Sequence, residues 1–268
     1  MNKPIASFPS IYLFHGGGPY PLTTDPSQLS IRKFLQELPK KIPTPKSILL
    51  ISAHWESPTI SILNKKEPNL LFDYYGFPKD LYNFKYPTKN DLDLVNKMTL
   101  LFDQNNITYK MDNERDYDHG VFVPLLLMYP EANIPVAQIS LVKGLDPATH
   151  LKIGEVLAPL RNEGVLILGS GSSFHGFFVN LESEELAKHS QNFDKYLDDV
   201  CTNKSYSSSE RKKMLIDWKK APSAKFAHPR EEHLLPLMVN MGAADGVAGE
   251  RIYEDYYMEY KMGAYLFV

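Results

Sequence analysis

Several histidines of this 268-residue chain stand where imidazole chemistry needs them. His15 follows the apolar run Ile11–Phe14 and opens His15-Gly16-Gly17-Gly18-Pro19. His54 follows Ile48–Ala53 and leads into Trp55-Glu56, and His175 follows Val165–Leu168 and the small-residue loop Gly169–Ser173. His233 lies in Ala227–Pro236, in the first turn of an expected helix, and His119 lies in Asp118-His119-Gly120, ahead of the apolar run Val121–Met128. Neutral imidazole is a ligand for Zn, Fe, Cu and Ni. A pKa near 6.5 lets the same ring take up and return a proton near neutral pH. Any one such histidine alone fits a hydrogen-bonded structural role. Three strands that each deliver a histidine at the same end point instead to convergent ligands around one metal ion.

The remaining candidates read more plainly. His150 and His189 are expected as surface residues on polar helix faces, and His228, beside Pro229, as a loop hydrogen-bonder. Glu56, Glu231 and Glu232 are available as carboxylate ligands.

The elements that would hold these residues alternate. Ser10–Phe14, Ser47–Ser52, Ile134–Leu141 and Val165–Leu168 are short, aliphatic or β-branched runs, as expected of buried strands. Ser27–Leu38 and Asp91–Phe102 carry apolar residues on one helical face, with Pro39 expected to stop the first. Asp146-Pro147 begins a third helix, as N-cap and first position, which runs to about Arg161 and ends at Asn162-Glu163-Gly164. From Asn180 to about Lys220 the pattern is polar and helical; Glu231–Met241 reads as a helix, and Arg251–Tyr257 and Ala264–Val268 as closing strands. The alternation predicts one α/β domain over residues 1–268, with a central, mostly parallel or mixed sheet flanked by helices on both faces. Ligand sites in such sheets form beyond the carboxyl ends of the strands, where these histidines fall.

Composition narrows the function classes. A net charge of −3 gives no electrostatic reason to expect nucleic acid or an anionic membrane as partner. The one cysteine, Cys201, excludes an intrachain disulfide and a cysteine-based zinc cluster, and suits a reducing compartment. Met1-Asn2-Lys3-Pro4 lacks a signal peptide's apolar stretch, and no run approaches the ~18–20 apolar residues of a membrane helix. The expectation is a cytoplasmic monomer or small homo-oligomer. Aromatics reach 12%, enough to fill a core and still wall a site for flat rings.

With these residues assembled, the sequence resembles the DODA-type (4,5-DOPA) extradiol ring-opening dioxygenases of the LigB-like class III superfamily, in order from about Ile11 to Leu237. His15-Gly-Gly-Gly-Pro19 looks like the family's His-Gly-x-Pro opening with one extra glycine, and Ser52-Ala-His-Trp55 matches the second motif. Asp73-Tyr-Tyr-Gly-Phe-Pro78, Asp118-His-Gly120, Ser170–His175 and Glu232-His-Leu-Leu-Pro-Leu237 resemble the others. The extra glycine and His228 before Pro229 depart from the pattern and bear on substrate fit.

The resemblance implies that His15, His54 and His233 bind the metal, that His175 is the acid–base residue and that His119 lies against the substrate. Protocatechuate-type relatives use a glutamate as third ligand, which leaves Glu231 or Glu232 as the alternative to His233. It implies Fe(II) as the functional metal, with Zn(II) able to occupy the same ligands, and a catechol and O2 as substrates that give a muconic semialdehyde. Trp55, Tyr74, Tyr75 and Phe77 are then candidate walls for the ring. Two other readings share the ligand set: a zinc hydrolase on the same scaffold, and a non-catalytic binding protein that keeps the fold.

Overall fold

In a computed structural model, which describes residues 7–176 and 183–268, the sheet strands are β1 Ser10–Phe14, β2 Ser47–Ser57, β3 Ile60–Leu63, β4 Tyr109–Asp112, β5 Val136–Val142, β6 Val165–Gly171, β7 Glu250–Tyr257 and β8 Tyr260–Phe267. They form one sheet in the order β4-β3-β5-β2-β6-β1-β8-β7. The central four, β5, β2, β6 and β1, run parallel. β3 and β8 join them antiparallel, so the sheet is mixed. The central strands are buried along nearly their whole length, which explains why they read as unbroken apolar runs rather than alternating ones.

The helices are α1 Leu29–Lys41, α2 Leu92–Gln104, α3 His119–Met128, α4 Pro147–Leu157, α5 Ser183–Thr202, α6 Ser208–Ile216, α7 Ala224–Ala227 and α8 Leu235–Ala243. They cover both faces, as β6 shows residue by residue. A methyl group on Gly169 would strike Asn240 of α8, whereas the next side chain, Ser170, bonds the carbonyl of Gly120 in α3. The molecule is thus a single α/β domain with the expected sheet.

Several boundaries differ from expectation for identifiable reasons. α1 passes through Pro39 to Lys41; the proline removes the one N–H bond to the Leu35 carbonyl, and the helix ends two residues later. β5 starts only after Pro135, which has no N–H for the ladder. α8 starts at Leu235, not Glu231, because the carbonyl of His233 is already taken by Ser172 N–H (3.0 Å) and the Tyr12 hydroxyl (2.8 Å). His233 therefore sits in a turn before the helix. β3 and β4 are four residues each, too short to announce themselves by period, and Val121–Met128 proves to be most of α3. The expectations for Met1–Pro4 and for Asn180–Glu182 lie outside the described residues; the rest of the expected helical stretch to about Lys220 contains α5 and α6.

His150 corrects a second expectation. It is wholly buried, not a surface residue: Nδ1 donates to the Asp146 carbonyl (2.7 Å) and Nε2 accepts from Val142 N–H (3.1 Å), tying α4 to β5. His189 is half-buried, with its ring stacked on Phe226 at 3.8 Å.

α4 and α8 cross in near backbone contact. A methyl on Gly154 would lie 2.1 Å from the Val239 carbonyl oxygen, and one on Gly242 would lie 2.0 Å from that of Leu151. Gly154→Ala must push the helices apart and is expected to destabilise the protein by roughly 1–3 kcal/mol. The midpoint of urea unfolding measures this, and an unchanged midpoint would show that the contact gives way freely.

Candidate functional site

The parallel strands set the site at their carboxyl ends. His15 is one residue beyond β1 and His54 lies near the end of β2; their Nε2 atoms are 3.1 Å apart. The turn before α8 brings in His233, so that one ring nitrogen from each of the three lies within 4.8 Å of the others. His119, at the start of α3, places its ring 3.9 Å from that of His54, and His175 stacks on His233 at 3.4 Å with 14° between planes. All five predicted histidines therefore meet at one place.

The hydrogen bonds assign the protons. The Ser170 hydroxyl donates to the Gly120 carbonyl, so its oxygen accepts from Nδ1–H of His15 (2.9 Å). Asp73 accepts from Nδ1–H of His119 (2.7 Å), and Glu232 Oε1 from Nδ1–H of His233 (3.0 Å). Each bond leaves Nε2 with its lone pair, and such a partner on the far nitrogen is the usual way a protein orients a ligating imidazole.

Burial, reinforced by the neighbouring imidazoles, holds His15 and His54 below the ordinary imidazole range, His54 at about 4. Burial likewise holds His233 well below it, against the opposing pull of Glu232. Burial alone would raise Glu232, but hydrogen bonds from His175 and His233 prevail and hold it well below the carboxylate range. Asp73 is lowered in the same way by His119.

These features fit a metal ion. Two nitrogens on one ion, each at about 2.0–2.1 Å, stand roughly 2.9–3.4 Å apart for bond angles between 90 and 109°. The 3.1 Å between His15 and His54 falls inside that range, and neutral imidazoles are the form that ligates. Of the carboxylate alternatives, Glu231 is engaged by Lys219 and Lys225 (3.6 Å). Glu232 faces Nδ1 of His233 and of His175.

A second layer fixes the first. Asp118, fully buried, accepts from Ser52 (2.6 Å), Gln138 (2.9 Å) and Arg115 (3.0 Å), and Arg115 also donates to the His54 carbonyl (3.0 Å). Only glycine lets α3 approach β2 so closely, since a methyl on Gly120 would lie 2.4 Å from Ser52 Oγ.

The cavity over the imidazoles measures about 230 Å³ and is lined by the five histidines together with Phe14, Gly16, Gly17, Gly18, Ser172, Tyr257 and Met262. A cavity of about 150 Å³ holds benzene, so this one takes a single substituted ring. A larger hollow of about 480 Å³ lies between Ile60 and α4, but it carries no convergent ligands.

The four aromatic residues expected as walls lie elsewhere. Tyr74 stands behind His119 (ring centroids 5.8 Å), and Phe77 packs on Tyr74 and Tyr20. Trp55 is buried under the Arg115 guanidinium (4.8 Å), and Tyr75 is 91% exposed. Sequence reasoning missed Tyr257 and Met262, which the β7–β8 hairpin carries to the cavity, and Asp73 as the partner of His119. Asp73 at least opens a recognised motif; a hairpin tip gives no such signal.

Known proteins are similar to this chain at the level of family, sequence and fold. The family described as the catalytic LigB subunit of aromatic ring-opening dioxygenase matches residues 5–267. A 4,5-DOPA dioxygenase extradiol of Beta vulgaris is 42% identical over 80% of this chain and 79% of its own length. A protein of the same description from Portulaca grandiflora is 35% identical over 91% and 89%. The crystal structure of an uncharacterized Escherichia coli K12 protein superposes with a TM-score of 0.76 at 24% identity, covering 97% of this chain and all of the other, which is a likeness of fold.

His228 yields a prediction separate from the metal. Its Nε2 bonds the Ser173 carbonyl (3.1 Å), its Nδ1 has no hydrogen-bond partner among the described residues, and burial lowers it to about 3. Between that value and 6.5 the unfolded chain binds a proton that the folded one refuses. Its contribution to stability is thus complete above pH 6.5 and lost as pH falls towards 3, at up to about 1.4 kcal/mol per pH unit. His228→Gln should flatten the acid limb of the metal-free protein's unfolding midpoint against pH; an identical limb would overturn the assignment.

Proposed function

The chain belongs to the family of catalytic LigB subunits of aromatic ring-opening dioxygenases, and from that premise we propose that it opens a one-ring catechol of the DOPA type, using Fe(II) held by His15, His54 and His233. The carrying observation is the set of three neutral imidazoles on the floor of a one-ring cavity, with two more imidazoles above them. The names of the relatives, 4,5-DOPA dioxygenase extradiol, support the substrate class. When bound, Fe(II) supplies the Lewis acidity and redox activity that let a closed-shell catechol react with triplet O2.

The remaining work falls to side chains. The chain presents three ligands on one side and leaves room for catechol and O2 on the other. His175 takes the proton of one catechol hydroxyl and returns it after the ring bond breaks, a two-way transfer that imidazole side chains commonly perform. His119, with Nδ1–H committed to Asp73, accepts a hydrogen bond from the substrate at Nε2. Phe14 and Met262 give the ring an apolar surface and keep bulk water from it. The product is catechol plus O2, with both oxygen atoms retained, so no external reductant enters. A lone buried cysteine accords with a cytoplasmic setting; among the described residues no helix is long and apolar enough to cross a membrane.

Protein loaded with Fe(II) under anaerobic conditions is expected to consume one O2 per catechol with a yellow product, and zinc-loaded protein to consume none. His175→Ala should lose ~10²–10⁴-fold in turnover while it keeps stoichiometric metal; His15→Ala should lose the metal. Iron-loaded protein that takes up no oxygen with any catechol would refute the reading, and metal loss in His175→Ala would make that residue a ligand.

A further inference from the structure

The turn ahead of α8 holds a carboxylate with more partners than a ligand-orienting group requires. Glu232 Oε1 accepts from Nδ1–H of His233 at 3.0 Å and lies 3.4 Å from Nδ1 of His175. Its other oxygen, Oε2, lies 3.2 Å from the guanidinium of Arg230, which is itself held by Glu56 at 2.6 Å. The rings of His175 and His233 stack nearly parallel at 3.4 Å, so both turn the same edge to one oxygen. The Glu232 side chain is 13% exposed, which keeps water from substituting for it.

We propose that Glu232 is a positioning residue that serves two groups with different tasks: it fixes the tautomer and ring orientation of the metal-binding His233 and of the acid–base His175 through the same carboxylate oxygen. This rests on the roles given to those two histidines above. With Nδ1–H of each ring directed at Oε1, both Nε2 atoms carry a lone pair towards the cavity, one for the metal and one for the substrate proton. Without the carboxylate, either ring can place its proton on Nε2 and lose that capacity, the same effect by which a buried aspartate keeps a catalytic histidine in its working tautomer. A charged acceptor is needed because one oxygen serves two donors, and charge-assisted bonds are roughly twice as strong as neutral ones. An amide offers one carbonyl and turns its NH2 towards Arg230, where it meets another donor.

The test uses Glu232→Gln, His175→Ala and the double variant, with two readouts. The first is cobalt(II) or zinc(II) affinity by chelator competition, measured without substrate. Loss of an outer partner of a metal ligand typically weakens binding about 10–100-fold, and that loss is expected in Glu232→Gln and equally in the double variant. The second is kcat and KM for a catechol at saturating Fe(II). Glu232→Gln should lower kcat by about tenfold or more with KM within about twofold, and adding it to His175→Ala should lower kcat no further, since groups that act as a unit are non-additive. Unchanged metal affinity, or a full second loss of kcat on the His175→Ala background, overturns the proposal.

Arg230→Gln guards against misfolding, because the Arg230 side chain is 55% exposed. It should shift both readouts in the same direction by a smaller factor; if Glu232→Gln fails to fold, no shift in Arg230→Gln overturns the proposal. Metal affinity is read without turnover. A wild-type protein that opens no catechol, together with weakened metal binding in Glu232→Gln, would therefore sink the ring-opening reading and leave the positioning of His233 standing.

Discussion

Five imidazoles crowded at one end of a sheet would repel one another as cations, and the metal-binding reading depends on His15, His54 and His233 remaining uncharged. Ring centroids of 3.4–5.4 Å set any positive charges close together, on side chains that are buried or only partly exposed. Desolvation settles the matter in favour of the neutral ring for the three innermost. The same condition makes them metal ligands, since the lone pair that a proton would occupy is left for a cation. For His15 and His233 the lone pair is kept on Nε2 by a bond on the opposite edge of the ring, where Ser170 and Glu232 stand.

That opposite edge is where most of the fold's polar effort is spent. Asp118 gathers Ser52, Gln138 and Arg115, and so ties β2, β5 and the start of α3 into one buried unit. Ser170 spans from β6 to the Gly120 carbonyl while it holds His15. Asp118 and Ser170 are each held by several partners, while Gln138 Oε1 and Arg115 Nε in the same network have none among the described residues. The imidazoles are therefore carried by a frame that Asp118 and Ser170 hold together.

Much of this was legible in the sequence and some was not, for definite reasons. Strands buried on both faces read as apolar runs, so β1, β2, β5 and β6 were visible, and His15, His54 and His175 could be placed at their ends. β3 and β4 were invisible, being four residues long and stabilised mainly by pairing. The start of α8 was misplaced because tertiary bonds to the His233 carbonyl, from residues more than 50 positions away, override local helix signals. His150 was misread since a buried histidine satisfied by two backbone groups looks, in sequence, like any polar helix residue. The pairing of Asp73 with His119, and the reach of Tyr257 into the cavity, follow from chain crossings that no spacing records.

The sequence distance between the clustered imidazoles has a consequence for how the centre comes into being. His54 and His233 are 233 − 54 = 179 residues apart, and ribosomes add about 5–20 residues per second. A nascent chain thus displays its first two imidazoles for roughly 9–36 seconds before the third is made. The three-imidazole set is therefore complete only once the chain has been made as far as His233, in the turn before its last long helix.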